Sequence, residues 1–148
     1  MAAATFVILV FLAAMSGAIF KPGPWYDTLQ KPSWTPPKWA FPTVWSILYV
    51  MIAYAGWEVW TKAGWSFAMV LWAAQLILNG CWSWIFFGLK RMDLALYELG
   101  LLWLAIAGFI LAAWPISMLA SLLFVPYLFW VSTAGLLNFS VLRLNAAE

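Results

Sequence analysis

The chain consists of long apolar stretches separated by polar connections. Five stretches are long enough to cross a hydrocarbon core of about 30 Å, and they cover residues 3–20, 41–60, 65–88, 93–114 and 117–141. Their apolar runs are continuous, whereas the strands of a membrane β-barrel alternate apolar and polar residues. The pattern predicts an all-α, polytopic membrane protein, a five-transmembrane-helix bundle forming a single domain over residues 1–148.

The first apolar stretch is short enough to be compared with a secretory signal peptide. No basic residue precedes its apolar run, which argues against a signal peptide and favours a first transmembrane helix. Small residues recur along it at helical spacing, namely Ala13, Ala14, Gly17 and Ala18. Such residues let the backbones of two membrane helices approach closely.

The connection between the first two stretches, residues 21–40, is long and rich in proline and tryptophan. Its prolines fix φ and bias their neighbours away from helix. Because so many aromatic side chains would be poorly solvated in a free loop, we expect this segment to fold back onto the bundle as a lid. The other connections are short.

Composition supports a membrane environment. Hydrophobic residues make up 67% of the chain and charged residues 8%, with a mean hydropathy of +0.95. Soluble domains have about half apolar and a quarter charged residues, so lipid must cover most of this surface. The net charge of +2 is too small to indicate nucleic acid as a partner. One cysteine, Cys81, excludes an internal disulfide, and the absence of histidine removes the commonest metal and haem ligand. We expect no metal and no obligatory cofactor.

Basic residues are distributed unequally between the two ends of the predicted bundle. One end carries Lys62 alone, and the other carries Lys21, Lys31, Lys38, Lys90, Arg91 and Arg143. In an inner membrane this asymmetry predicts that the long loop and the C-terminus face the cytoplasm. In an outer membrane the rule would not set the orientation, so the choice of membrane stays open.

Polar and aromatic side chains recur on single faces of three predicted spans. Gln75 and Asn79 are one turn apart on the third span, and Trp45 and Tyr49 are one turn apart on the second. The last span presents one such face: Tyr127, Trp130, Ala134 and Asn138. These faces predict an aromatic-walled cavity beneath the long loop, with a few amides and indole N–H groups, which suits a large flat apolar ligand.

A structural interpretation competes with this one. Amides in membrane helices often only join helices, for about 0.6–2 kcal/mol each. Asp93 and Glu98 are interpreted as carboxylates stabilised by the N-terminal turns of the fourth span. Pro126 removes a hydrogen bond within the last span and is expected to kink it.

The order of these residues resembles one known family. Residues 25–37 read Trp-Tyr-Asp-Thr-Leu-Gln-Lys-Pro-Ser-Trp-Thr-Pro-Pro, and are followed by Phe41-Pro42, Trp45, Gln75-Leu-Ile-Leu-Asn79, Phe86-Phe87-Gly88, Pro126-Tyr127, Trp130 and Leu137-Asn138. This series resembles the tryptophan-rich sensory protein, or translocator protein, family (TspO/MBR), over nearly the whole chain.

The resemblance implies a five-helix membrane protein, usually a homodimer, whose cavity takes porphyrins such as protoporphyrin IX and other tetrapyrroles of the haem pathway. By position it implies that Trp45, Asn79, Trp130 and Ala134 line the cavity. The helical faces described above add Tyr49, Gln75 and Asn138 to the expected ligand site, and Phe41 is assigned to it as well. It assigns the lid to Trp25, Tyr26, Pro36 and Trp39. Cholesterol, a ligand of animal members, is not expected to bind tightly, because Phe139 stands where their motif has tyrosine.

Two functions remain open at this stage. The leading hypothesis is a membrane receptor or transporter-like protein that binds porphyrins and acts in tetrapyrrole and stress regulation. The alternative, also implied by the resemblance, is an enzyme that breaks down porphyrin in light with Trp45 and Trp130 as photochemical residues. No acid–base constellation exists for ordinary catalysis, and the scarcity of charges deep in the spans disfavours an ion channel.

Overall fold

A computed structural model describes residues 2–19, 24–35, 37 and 39–145, with the backbone alone at residues 2 and 17–19. The described chain is helical and contains no strand. Its helices are α1 (Ala2–Ile19), α2 (Pro24–Thr28), α3 (Ala40–Ala63), α4 (Phe67–Ser83), which continues into a π-helix (Trp84–Gly88), α5 (Met92–Ala113), α6 (Met118–Leu123) and α7 (Val125–Leu144).

The predicted all-α membrane fold is confirmed. Four helical segments are long and apolar enough to cross a membrane: Ala40–Ala63, Phe67–Gly88, Met92–Ala113 and Met118–Leu144. The shorter α1 is a fifth apolar helix, and it packs in the bundle through the buried side chains of Phe6 and Val10. The short helix α2 lies within the connection that the sequence analysis predicted to be a lid.

Local sequence explains where several helices begin and end. Ser66 and Ser117 cap α4 and α6, accepting hydrogen bonds from the amides of Met69 at 3.3 Å and Ala120 at 3.1 Å. Gly64 ends α3 with a φ of +58°, and its amide donates to the carbonyl of Trp60 at 2.9 Å. Glycine suits this position because left-handed backbone is strained for other residues.

The last span, Met118–Leu144, is interrupted at Phe124, two residues before Pro126, the residue that was expected to kink it. The α6 helix ends at Leu123, and α7 begins anew at Val125 with Pro126 in its first turn, where a proline costs no hydrogen bond. Phe124, between the two helices, is fully buried against Phe109, with ring centroids 4.1 Å apart. The interruption is therefore packed around a buried aromatic residue.

Close backbone approaches determine how the helices are arranged. The main neighbours are α1 with α3 and α4, α4 with α5, α5 with α7, and α3 with α6. At Gly56 of α3 a Cβ would lie 2.5 Å from the indole of Trp72 on α4, and that indole donates to the carbonyl of Ile52 at 2.9 Å. The absence of a side chain at Gly56 thus lets a large buried tryptophan join α3 to α4.

The lid connection and the C-terminal end of α7 meet at the same end of the bundle. The Gln30 amide donates to Asn145 Oδ1 at 3.1 Å, and Asn145 Nδ2 donates to the Gln30 carbonyl at 3.0 Å. Lys90, in the turn before α5, lies over the ring of Trp25 at 6.0 Å. Lys62, at the end of α3, forms an ion pair with Glu58 at 2.9 Å.

Candidate functional site: an aromatic cavity under the lid

A cavity of about 620 Å³ lies at the lid end of the bundle. Its wall comes mainly from α3, α4 with its π-helix, α5 and α7, with Tyr26 of α2 contributed by the lid. The lining residues are Ala14, Tyr26, Phe41, Pro42, Trp45, Ser46, Tyr49, Asn79, Trp82, Ser83, Phe86, Phe87, Leu99, Leu102, Trp130, Ala134, Leu137, Asn138 and Val141. Cavities of this size hold small organic ligands.

Aromatic rings form one side of the cavity. The rings of Trp45 and Tyr49, one turn apart on α3, are stacked with centroids 5.5 Å apart. The indole of Trp130 on α7 meets Trp45 edge-on at 6.5 Å and Phe41 at 5.7 Å. In the described part of the chain, the buried indole nitrogen of Trp130 has no hydrogen-bond partner. This wall therefore offers flat apolar surface together with one uncommitted N–H donor.

A chain of hydrogen bonds runs from the cavity into the core. The Tyr49 hydroxyl donates to Asn79 Oδ1 at 3.0 Å, and Asn79 Nδ2 donates to the Tyr127 hydroxyl at 2.7 Å. The Tyr127 hydroxyl donates in turn to Gln75 Oε1 at 2.9 Å. Asn79 is thus both a cavity residue and a link between α3, α4 and α7, so the structural and functional interpretations of this amide coexist.

Asn138 is held in place by two partners. Its Nδ2 donates to the Met92 carbonyl at 3.0 Å, and its Oδ1 accepts from the indole of Trp82 at 3.3 Å. Both interactions cross between helices, which is the common use of an amide in a membrane bundle. Asn138 therefore lines the cavity as an oriented amide, and these two bonds leave one N–H of Nδ2 and one lone pair of Oδ1 unused.

Tyr26 is the lid residue that lines the cavity. Its side chain is buried, with ring centroids 6.3 Å from Phe86 and 5.6 Å from Phe87, and the Lys31 ammonium lies 4.5 Å from its ring centroid. Burial raises the pKa of the Tyr26 phenol from its usual 10.0, and the nearby carboxylate of Asp27 raises it further. Tyr26 therefore stays neutral at physiological pH.

Eight of the twelve residues that the sequence analysis assigned to ligand binding line this cavity: Tyr26, Phe41, Trp45, Tyr49, Asn79, Trp130, Ala134 and Asn138. Pro36 lies outside the described residues. The remaining three residues, Gln75, Trp25 and Trp39, do not line the cavity.

Gln75 is fully buried behind the wall, where it accepts from Tyr127, so the expectation that it lines the ligand site is corrected. Trp25 lies on the lid helix α2 with its ring 5.9 Å from Phe86, and it is not among the residues that line the cavity. Trp39 precedes α3 and is 69% exposed, so it does not cover the cavity. Membership of one helical face does not show how deep along that face the cavity extends.

Several lining residues were not identified as site residues from the sequence. Phe86 and Phe87 were noted only as part of the family signature. Helix α5 contributes Leu99 and Leu102, and neither residue is polar or aromatic, so the sequence pattern did not mark them as site residues. Phe86 stacks on Trp82 with centroids 5.0 Å apart. Phe86 follows Trp82 by four residues and Asn79 by seven, and this helical spacing could have assigned Phe86 to the same face.

Glu98 differs from the interpretation made from the sequence. It is the seventh residue of α5, beyond the first turn, and it is only 9% exposed. Neither carboxyl oxygen has a hydrogen-bond partner among the described residues.

The described residues include no cluster of His, Cys, Asp and Glu that could hold a metal ion.

The fold and this site define a class: multi-pass helical membrane proteins built around an internal aromatic cavity. The sequence profile of the TspO/MBR family matches residues 4–144. Protein CrtK of Rhodobacter capsulatus is 44% identical over 149 residues, covering 98% of this chain and 93% of that protein. The tryptophan-rich sensory protein of Cereibacter sphaeroides is 42% identical over 144 residues (94% and 91%), and the human translocator protein 40% over 127 residues (82% and 75%).

The chain therefore belongs to the TspO/MBR family. It is an integral, multi-pass membrane protein related both to bacterial tryptophan-rich sensory proteins and to animal translocator proteins.

Proposed function

We propose that this protein binds porphyrins, such as protoporphyrin IX and other tetrapyrroles of the haem pathway, in the cavity under the lid. The observation that carries the proposal is the wall of Trp45, Tyr49 and Trp130 around a space of about 620 Å³. A porphyrin is a broad flat ring with apolar faces and polar edge groups. Aromatic side chains bind such faces by stacking and edge contacts.

The cavity has few polar groups, and they suit a ligand that has few polar atoms at defined positions. Trp130 offers an indole N–H that lacks a partner in the described part of the chain. The Tyr49 oxygen, whose proton is directed at Asn79, keeps lone pairs that can accept. A ligand with one acceptor and one donor at its edge would pair with the Trp130 N–H and the Tyr49 oxygen. Such pairing is favourable because a buried polar group left unpaired costs about 1–3 kcal/mol.

The physiological role that follows is a receptor or transporter-like protein in tetrapyrrole and stress regulation. The names of two relatives, tryptophan-rich sensory protein and translocator protein, support this class of role. A homodimer and a cytoplasmic position of the lid end in an inner membrane remain predictions.

A titration of the purified protein with protoporphyrin IX, in detergent and in liposomes, tests the proposal through quenching of tryptophan fluorescence. We expect saturable quenching that is weakened in Trp45→Phe and in Asn79→Ala. Trp65→Phe is the matched control, because Trp65 is 76% exposed at the opposite end of the bundle and should leave the affinity unchanged. Quenching that does not saturate, or that all three variants share equally, would refute the proposal.

The alternative function is light-dependent breakdown of the bound porphyrin. The edge-on contact of Trp45 with Trp130 favours it, because both indoles would lie against a ligand in the cavity. Illumination of the complex should then give a defined product that Trp45→Phe combined with Trp130→Phe abolishes while the fold is kept. If free tryptophan yields the same product at a similar rate, the enzyme hypothesis fails.

A further inference from the structure

Helix α1 contacts both α3 and α4 near its N-terminus and contacts α4 again nearer the lid. Near its N-terminus, Phe6 lies against Trp60 of α3 and Trp72 of α4, with ring centroids 6.4 and 4.9 Å away. Ten residues further on, the Ser16 hydroxyl donates to the carbonyl of Gly80 on α4. A Cβ at Gly80 would lie 3.8 Å from the Cα of Ala13, so the two backbones are close there. Towards the lid, α1 thus follows α4.

The antiparallel helix α3 has its N-terminal half at this same end of the bundle. Pro42 and Ser46 of α3 line the cavity, and both are exposed on the protein surface. Ala14 lines the cavity from α1 and is partly exposed. Because Ser46 belongs at once to the interior wall and to the outer surface, the part of the bundle formed by the described residues is open sideways between α1 and α3.

The surface around this opening is apolar. Ile47 and Val50 on α3 are 58% and 71% exposed, and Phe11 and Leu12 on α1 are 63% and 58% exposed. The hydroxyl of Ser46 is satisfied by its own helix, donating to the Pro42 carbonyl at 2.7 Å. Exposed surface of this kind in a membrane helix faces hydrocarbon. The opening therefore faces the hydrocarbon region of the bilayer.

The lid end is closed more firmly. Tyr26 is buried against Phe86 and Phe87, and the two hydrogen bonds between Gln30 and Asn145 hold the lid connection to α7. Entry from water would require these contacts to break. Entry between α1 and α3 would instead displace lipid chains from the apolar surface around Ala14 and Ser46.

We propose that ligands enter the cavity from the bilayer, through the side opening between α1 and α3 at Ala14 and Ser46. This inference rests on the proposed function and narrows its substrate class to flat molecules that partition into membranes. An apolar ring dissolved among acyl chains reaches the opening without crossing water. The bilayer then acts as the ligand reservoir.

Rates of binding test this route in liposomes that contain protoporphyrin IX. We expect Ser46→Phe, which places a ring in the opening, to slow both association and dissociation by about tenfold, more than it changes the dissociation constant. Ala14→Phe, from the opposite edge, should do the same. The matched control is Leu111→Phe on α5, away from the opening, because Leu111 is 77% exposed and does not line the cavity, and this variant should keep the wild-type rates.

Asn145→Ala provides a test of the lid route, because it removes the contacts with Gln30 without touching the cavity. Unchanged association in this variant supports entry from the bilayer. Faster association in Asn145→Ala, or equal rates in Ser46→Phe, Ala14→Phe and Leu111→Phe, would overturn the inference. If the proposed function itself is wrong, quenching of the wild-type protein will not saturate. The proposed entry route would then be excluded as well.

Discussion

Asn79 Nδ2 donates a hydrogen bond of 2.7 Å to the Tyr127 hydroxyl, and this contact joins α4 to α7 beside the cavity. Each partner makes a second bond, Asn79 with Tyr49 and Tyr127 with Gln75. The amide that faces the ligand space is therefore oriented by a buried network. Helix packing and the proposed ligand binding would therefore depend on the same atoms.

The Tyr127 hydroxyl is expected to stabilise the bundle. Tyr127→Phe keeps the ring but leaves Asn79 Nδ2 and Gln75 Oε1 without their partner, so we expect a loss of about 1–2 kcal/mol in the free energy of unfolding. Thermal unfolding in detergent measures it. Tyr97→Phe makes the same chemical change at a residue that is 78% exposed and should have little effect. Equal stability of the two variants would contradict this role of the network.

Gly56 is expected to tolerate no side chain. Gly56→Ala would place its Cβ 2.5 Å from the indole of Trp72, which is buried and bonded to Ile52, so the ring cannot move away freely. We expect destabilisation by about 1–3 kcal/mol. Gly100→Ala on α5 is the control, because nothing lies within 4 Å of its Cβ position. A Gly56→Ala protein as stable as Gly100→Ala would show that this contact relaxes easily.

Ala134 is expected to limit the size of the ligand. It lines the cavity one turn after Trp130, and Ala134→Leu would fill part of the space that a porphyrin needs. We expect protoporphyrin affinity to fall about tenfold or more, which corresponds to at least about 1.4 kcal/mol. Thr133→Leu, at the adjacent position outside the cavity lining, should bind as the wild type does. Titration by fluorescence quenching distinguishes the two, and unchanged affinity in Ala134→Leu would argue for another site.

Asn145 is expected to hold the lid. Asn145→Ala removes both hydrogen bonds to the Gln30 backbone, so amide hydrogen exchange around Gln30 should become faster. Arg143→Ala, a nearby change at an exposed position on α7, should leave that exchange unchanged. Exchange measured by mass spectrometry in detergent provides the comparison. If both variants exchange alike, contacts other than Asn145 hold the lid.

Sequence by itself determined the fold class and much of the site. The lengths of the apolar stretches set five helices, because a bilayer of fixed thickness needs about twenty apolar residues per crossing. Helical periodicity grouped Trp45 with Tyr49 and Trp130 with Ala134, because residues four apart share a face. Those four residues all line the cavity.

Only the tertiary structure decided which faces meet and how far apart they stand. Gln75 shares the face of Asn79, yet packing against Tyr127 removes it from the ligand space. A side chain at Gly56 of α3 would collide with Trp72 of α4, and Ser16 of α1 donates to the Gly80 carbonyl of α4, so contacts between helices place α1 and α3 beside the cavity. Spacing along one helix contains no information about such distances, because they arise from side chains of different helices packing at contact range.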